Sequence, residues 1–321
     1  MIRLVSALAM LIAVSAQAGT PKPYHPPLTA DGHPDFDGVW MNPPRGAQLE
    51  KAGLGDKLVV SNAEAKALAK AMNIAVGARP QVLTQADLPE FEVAVVRGEN
   101  RTRLLVEPAD GLLPYTETAL KAVRTWTAAY NASRNGSPVA NPEDSDLSQR
   151  CITVEGQPPM RTAYENSLRL IVQTPQVIGI YSEFIGEVRL VRMGGPADPP
   201  AMRSLWGDSI GHWEGEDLVV ETRNFRLDNP FHVVIGERPV MVGADSVLIE
   251  RFRRVSAEEL DYSFTVRDPS LYARPWLAEY AMTRTDNNPL EAACHEGNYA
   301  EANVLQGGRD EEAVQARRAA N

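Results

Sequence analysis

The sequence predicts a mostly-β fold, an antiparallel meander closing into a barrel, with a few helices in the N-terminal third. Two observations carry this expectation. From residue 165 onward, short runs rich in Val, Ile, Leu and aromatic residues fall at 168–174, 177–184, 188–193, 210–214, 218–225, 247–255, 260–268 and 276–285. Brief turns join them with few helical signals between, which is the spacing of a meander. The clearest run sets Leu260, Tyr262, Phe264 and Val266 against Asp261, Ser263, Thr265 and Arg267, the alternation of a strand with one wet face. The 321 residues are 44% hydrophobic and 23% charged, which excludes disordered and collagen-like chains and leaves ample length for a core. A balance of 32 basic against 42 acidic residues removes the attraction that non-specific nucleic-acid binding needs, and disfavours docking on anionic lipid.

Taken in chain order, Met1-Ile2-Arg3, an apolar run from Leu4 to Val14 and then Ala16-Gln17-Ala18 form a signal-peptide pattern over residues 1–18. Cleavage is expected before Gly19, with export to the periplasm or beyond. That run is short for a bilayer and no other stretch approaches a span, so no membrane span is expected in the mature chain. Residues 19–46 are Pro-rich and read as an extended lead-in. Residues 47–298 follow as a single barrel-type domain with helical insertions. Ser61-Asn62-Ala63-Glu64 is a capping box that opens an Ala-rich helix to about Met72. A strand pair is expected at 91–97 and 102–107. A second helix begins near Thr116, puts Leu120, Val123, Thr127 and Tyr130 on one face, and stops at Asn135-Gly136. Residues 299–321 are an Ala-, Glu- and Arg-rich tail, helical or disordered.

The two cysteines, Cys151 and Cys294, make one disulfide in an oxidising compartment by the simplest arithmetic. The competing reading is a catalytic thiol at Cys294 beside His295, although neighbours on a strand point to opposite faces.

Several stretches resemble a family of uncharacterised secreted bacterial proteins. They are Asp35-Phe36-Asp37-Gly38-Val39-Trp40, Leu113-Pro114-Tyr115-Thr116, Cys151 with Gly156-Gln157-Pro158-Pro159-Met160-Arg161, and Trp213-Glu214-Gly215. Asp268-Pro269 with Arg274-Pro275-Trp276 completes the set, so the resemblance runs along nearly the whole mature chain. Family members often carry Gly-His-Ser where this chain has Gly207-Asp208-Ser209. Gly38-Val39-Trp40 is also similar to the Gly-x-Trp opening of lipocalin-type (calycin) barrels, which implies a lipocalin-like barrel here.

The five histidines, His25, His33, His212, His232 and His295, show no ligand spacing, and HExxH and CxxC are absent, so no metal site is expected. Gly194-Gly195-Pro196 is a turn rather than a phosphate cradle, and GxSxG and SxxK do not occur. No dissociable cofactor is expected. By the period of two, Asp208, Ile210, His212 and Glu214 share one strand face. With that face inward, Asp208 and His212 are the candidate catalytic base and acid, whereas an outward face makes His212 a hydrogen-bonded surface residue. Tyr181 and Glu183 share another face, and Glu183 with Arg189 reads as a cross-strand ion pair, bland if exposed and a ligand anchor if buried. Arg251 and Arg253 suit either an anion clamp or an outward salt-bridged face. The run from Asp268 to Trp276 is a rigid turn that offers Tyr272 and Trp276 for substrate binding at the barrel rim. Tyr181, Arg189 and Arg253 would stabilise a developing oxyanion.

The function these residues suggest is an exported enzyme acting on a small amphipathic molecule, aromatic or terpenoid-like. Its chemistry would be acid–base, of lyase, isomerase or hydrolase type. The alternative is a periplasmic binding protein that holds an apolar small molecule without turnover. The partner is a small molecule in either case, not nucleic acid, and a homo-oligomer is compatible with the chain.

Overall fold

A computed structural model describes residues 24–43, 48–51, 55–77, 90–134, 139–145, 147, 149–152, 158–160, 162, 168–183, 186–226, 229–230, 239–291 and 293–320. The expected signal peptide, the helix stop at Asn135-Gly136 and His232 lie outside these residues. The chain opens with β1 (Gly38–Met41). β2 (Val59–Val60), β3 (Ala94–Val96) and β4 (Glu99–Arg101) form a small antiparallel sheet, with α1 (Asn62–Gly77) between the first two. β5 (Leu105–Glu107) and α2 (Glu117–Arg134) follow. Next come β6 (Leu168–Gln173), β7 (Val177–Ser182), β8 (Glu187–Met193), β9 (Asp208–Glu214) and β10 (Asp217–Arg223). A short pair, β11 (Asn229–Pro230) and β12 (Met241–Val242), leads to β13 (Val247–Arg254), β14 (Glu259–Arg267) and β15 (Trp276–Thr285). α3 (Cys294–Gly297) and α4 (Tyr299–Ala319) end the chain.

Strands β1, β6, β7, β8, β9, β10, β13, β14 and β15 are hydrogen-bonded in that order. β1 pairs with both β6 and β15, which closes a nine-stranded barrel and leaves no free edge among those strands. The mostly-β barrel with few helices is therefore as expected. Of its helices, α1 lies in the first third, α2 begins just beyond it near the expected Thr116, and the longest, α4, occupies the tail at 299–319.

The Gly38-Val39-Trp40 opening has a physical reason. Gly38 adopts φ +132°, and a Cβ there would lie 3.0 Å from the Arg284 guanidinium. Freed of that clash, Arg284 sits 5.6 Å from the Trp40 ring centroid and Arg254 5.5 Å from it. The fully buried Trp40 indole donates to Phe36 O at 3.0 Å. Phe36 in turn stacks on Trp213, and Trp213 on His33, so part of the Pro-rich lead-in is packed against this end of the barrel.

Two pairings depart from the expected meander. The β8–β9 junction is parallel, with residues 194–207 carrying the chain back across before β9 begins. Gly211 makes that junction possible, because a Cβ there would meet Met193 Sδ at 2.8 Å and Val191 Cγ1 at 2.9 Å. The expected pairing of 91–97 with 102–107 is also corrected. β3 turns at Arg97-Gly98 into β4, whereas β5 leaves to pair with β15. The Ser61–Glu64 capping box is present, with Ser61 N donating to Glu64 Oε2 at 2.8 Å and Glu64 N to Ser61 Oγ at 3.3 Å. Its helix runs past Met72 to Gly77.

The inner face of the barrel follows alternation. Leu218 and Val220, Leu248 and Phe252, Leu260 to Val266, and Trp276 to Met282 all bury their even-numbered residues. Phe252, Tyr262, Phe264, Trp276 and Tyr280 form a connected aromatic wall with ring centroids 4.9–5.6 Å apart. Cys151 and Cys294 are bonded, and there is no free cysteine, so the catalytic-thiol alternative falls. Among the described residues, no helix is long and apolar enough to cross a membrane.

Candidate functional site

On β8, Glu187, Arg189 and Val191 point inward, and Arg189 is 4% exposed in an interior that also buries Arg169, Ser182, Ser209, Thr222 and Glu250 among its apolar and aromatic side chains. A guanidinium so placed needs acceptors for its donors. Arg189 Nε donates to Ser209 Oγ at 3.1 Å, Nη1 to Glu250 Oε1 at 2.9 Å, and Nη2 to Glu250 Oε2 and to Thr222 Oγ1, the latter at 2.8 Å. The Tyr262 hydroxyl donates to Glu250 Oε1 at 2.6 Å. Met160 N donates to Tyr262 Oη at 3.0 Å, and the Tyr280 hydroxyl donates to Met160 O at 3.0 Å. The result is a guanidinium–carboxylate–phenol chain whose phenolic end rests on the buried Met160 peptide groups.

Burial opposes the charge of Arg189, but Glu250 more than compensates, so the guanidinium holds its proton more firmly than usual. Burial, and then the negative charge of Glu250, push the Tyr262 hydroxyl well above the ordinary phenol range. Tyr262 is therefore a neutral proton donor at physiological pH. Such an arrangement can hold a proton at Tyr262, share it with Glu250 and balance the charge on Arg189.

The structure sorts the sequence-predicted residues by strand parity. Arg189 and Trp276 lie inside the barrel, and Tyr272 is buried at the β15 entry. Asp208 and His212 do not face the interior. The inner residues of β9 are Ser209 and Gly211, so the expected inward face is corrected to the outer one. Asp208 accepts from Arg192 Nη2 and from Asp198 N, both at 2.7 Å, and so pins the crossover at 194–207. His212 is exposed and paired with Glu214 at 3.2 Å, as the surface alternative had it.

The Glu183–Arg189 ion pair is likewise corrected, because the partner of Arg189 is Glu250. Glu183 instead accepts from Leu290 N at 3.1 Å, and Tyr181 is half-buried on the outer face of β7. Arg251 and Arg253 point outward to Glu214 and Asp217, which selects the salt-bridged face over the anion clamp. Arg251 also reaches Asp217 at 3.5 Å, while His25 pairs with Glu216 and His33 stacks on Trp213.

The turn at 268–276 is as expected. Asp268 accepts from Ser246 Oγ, Ser270 Oγ and the backbone of Ser270 and Leu271 at 2.6–3.2 Å. Tyr272 uses its hydroxyl on Met241, accepting from N at 3.1 Å and donating to O at 2.9 Å. Glu250, Tyr262, Tyr280, Ser209 and Thr222 are the interior residues that sequence reasoning missed. A signal existed for Glu250, which sits between Leu248 and Phe252 at the spacing of an inner face.

A surface groove of about 690 Å³ between α1 and residues 90–100, lined in part by Lys70, Asn73, Phe91 and Val95, holds none of these residues. No family model, curated protein or solved structure matches the chain.

Proposed function

We propose that this protein is an exported enzyme that takes a small amphipathic molecule, aromatic or terpenoid-like, into the barrel and acts on it by proton transfer. The observation that carries the reading is the buried Arg189–Glu250–Tyr262 chain within an aromatic wall. Stability accounts poorly for such a chain, because desolvation costs several kcal/mol per ion and apolar replacements are often at least as stable. Lyase, isomerase or hydrolase chemistry, by contrast, asks for positioned proton-transfer groups in a dry interior. Tyr262 would take a proton from the substrate as it passes its own to Glu250, so that the phenol stays neutral, Glu250 holds the proton and Arg189 keeps its charge beside that carboxyl. Export is supported by the Cys151–Cys294 bridge, since disulfides persist in oxidising compartments, together with the leader pattern of residues 1–18.

A binding protein without turnover is the second reading. One observation favours it: each polar atom of Arg189 and Glu250 already has a partner, as in a structural anchor. The test is untargeted mass spectrometry of the ligand that co-purifies with the protein, followed by incubation with its chemical relatives. Tyr262→Phe should lower turnover by about two to four orders of magnitude, the reach of general acid–base catalysis. Asp208→Asn and His212→Gln should leave turnover close to wild type, because both side chains lie outside the barrel. Ligand returned unchanged by the wild-type protein would establish the carrier reading, and turnover indifferent to Tyr262→Phe would remove the assignment.

A further inference from the structure

The barrel buries two indoles almost completely and treats them differently. Trp40 gives its N–H to Phe36 O at 3.0 Å. Trp276 is 1% exposed on the inner face of β15, and its Nε1 is buried with no hydrogen-bond partner among the described residues. Buried polar groups in native proteins are overwhelmingly paired, so an unpaired donor in this position asks for its acceptor. The neighbouring polar group does not supply one, because the Tyr272 hydroxyl is taken up by the backbone of Met241. Around the indole stand ring edges, Phe264 at 5.6 Å and Tyr272 at 5.7 Å between centroids, with Val266 across the strand pair. The aromatic wall runs from here through Phe264 to Tyr262 and so joins the Trp276 end to the proton-transfer chain.

We infer that Trp276 Nε1–H is the recognition donor of a ligand subsite, and that its ligand is an uncharged aromatic or polycyclic molecule presenting one oxygen acceptor. This inference rests on the reading that the barrel holds a small molecule, and it names that molecule's class. Indole is a donor only, so the ligand atom it meets is an acceptor. Asp268, at the turn that leads into β15, is engaged by Ser246, Ser270 and Leu271, and its charge disfavours an anionic ligand. A ketone, ether or hydroxyl oxygen on a flat apolar body meets both conditions.

The experiment follows the five indole Hε1 resonances of the full-length protein labelled with 15N-tryptophan. Trp276 is assigned by the resonance lost in Trp276→Phe. Two probes of the same shape are titrated, 2-acetylnaphthalene, which carries a carbonyl acceptor, and 2-ethylnaphthalene, which carries none. The ketone should move the Trp276 resonance downfield, and the hydrocarbon should leave it free of that shift. Trp276→Phe should weaken ketone binding on the order of ten- to a hundredfold, the usual worth of a buried hydrogen bond left unmade, and leave the hydrocarbon unchanged. Should both probes bind while the Trp276 resonance does not distinguish them, the subsite is overturned and the ligand-holding barrel stands. Should neither probe move any indole of the wild-type protein, both readings fall. Where Trp276→Phe does not fold, as judged by displacement of the other four indoles, the wild-type titration alone decides.

Discussion

Asp261 lies on the outer face of β14, where Arg97 from the β3–β4 turn reaches Oδ2 at 2.8 Å while Oδ1 is buried without a hydrogen-bond partner among the described residues. Burial is the largest influence on this carboxyl and raises it above 3.8, with the Arg97 hydrogen bond pulling the other way. The folded state therefore binds the Asp261 proton more tightly than the unfolded chain does. Its stabilising contribution is full below the unfolded value and is lost as pH rises through the raised one. Urea melts at a series of pH values should show wild-type stability declining relative to Asp261→Asn as pH climbs above 3.8, and parallel curves would refute it. The same residue-scale logic explains what the sequence hid. Ser209 and Asp208 are adjacent, and only one can face inward. Ile210, the one branched apolar side chain on that strand, shares the outer face with Asp208, whereas the inner positions are held by small Ser209 and Gly211. Glu250, the partner of Arg189, escaped notice for a related reason. A charged residue at an inner position reads as a surface residue until its partner, sixty-one positions away in sequence, is seen.

Elements were more legible than faces. Strand β15 begins and ends at Trp276 and Thr285 as alternation and turn residues indicate, and β6, β7, β10, β13 and β14 shift by a residue or two. The parallel β8–β9 junction was not legible, since brief turns imply hairpins. The length of the segment at 194–207, with Pro196, Pro199 and Pro200, was its trace, because parallel neighbours need a crossover. In α4, two adjacent glycines separate packing from propensity. Gly308 lies against residue 139, and a Cβ there would come within 2.2 Å of Val139 O, whereas Gly307 faces open space. Arg309 Nε adds a hydrogen bond to Ala140 O at 3.1 Å beside that contact. Gly308→Ala should destabilise the protein by about 1–3 kcal/mol through overpacking. Gly307→Ala should stabilise it by about 0.5–1 kcal/mol through helix propensity. Denaturant midpoints of the two variants moving in the same direction would contradict this account of how α4 docks.

At the scale of the molecule, the bridge between Cys151 and Cys294 encloses the chain from β6 to β15, a separation of 143 residues. Eight of the nine barrel strands lie within that loop, and β1 closes the barrel from outside it. The bridge also ties the segment leading to Met160 to the helical C-terminal end. Asn298 reinforces the tie by donating to Gln149 O at 2.7 Å and capping α4 through Glu301 N. In the chain-entropy account, closing a loop of this length removes about 5 kcal/mol of freedom from the unfolded chain. The barrel's own hydrogen bonds do not pass through the sulfurs, so the reduced protein should keep its β-sheet signature and lose stability chiefly through a freer unfolded state. Thiol titration of the oxidised protein should find no free thiol. Reduction, or the double substitution Cys151→Ser with Cys294→Ser, should lower the urea midpoint by an amount equivalent to several kcal/mol while far-ultraviolet circular dichroism stays the same. A midpoint unmoved by reduction would mean that the unfolded chain is already held compact by other contacts, and the bridge would then have no role in stability.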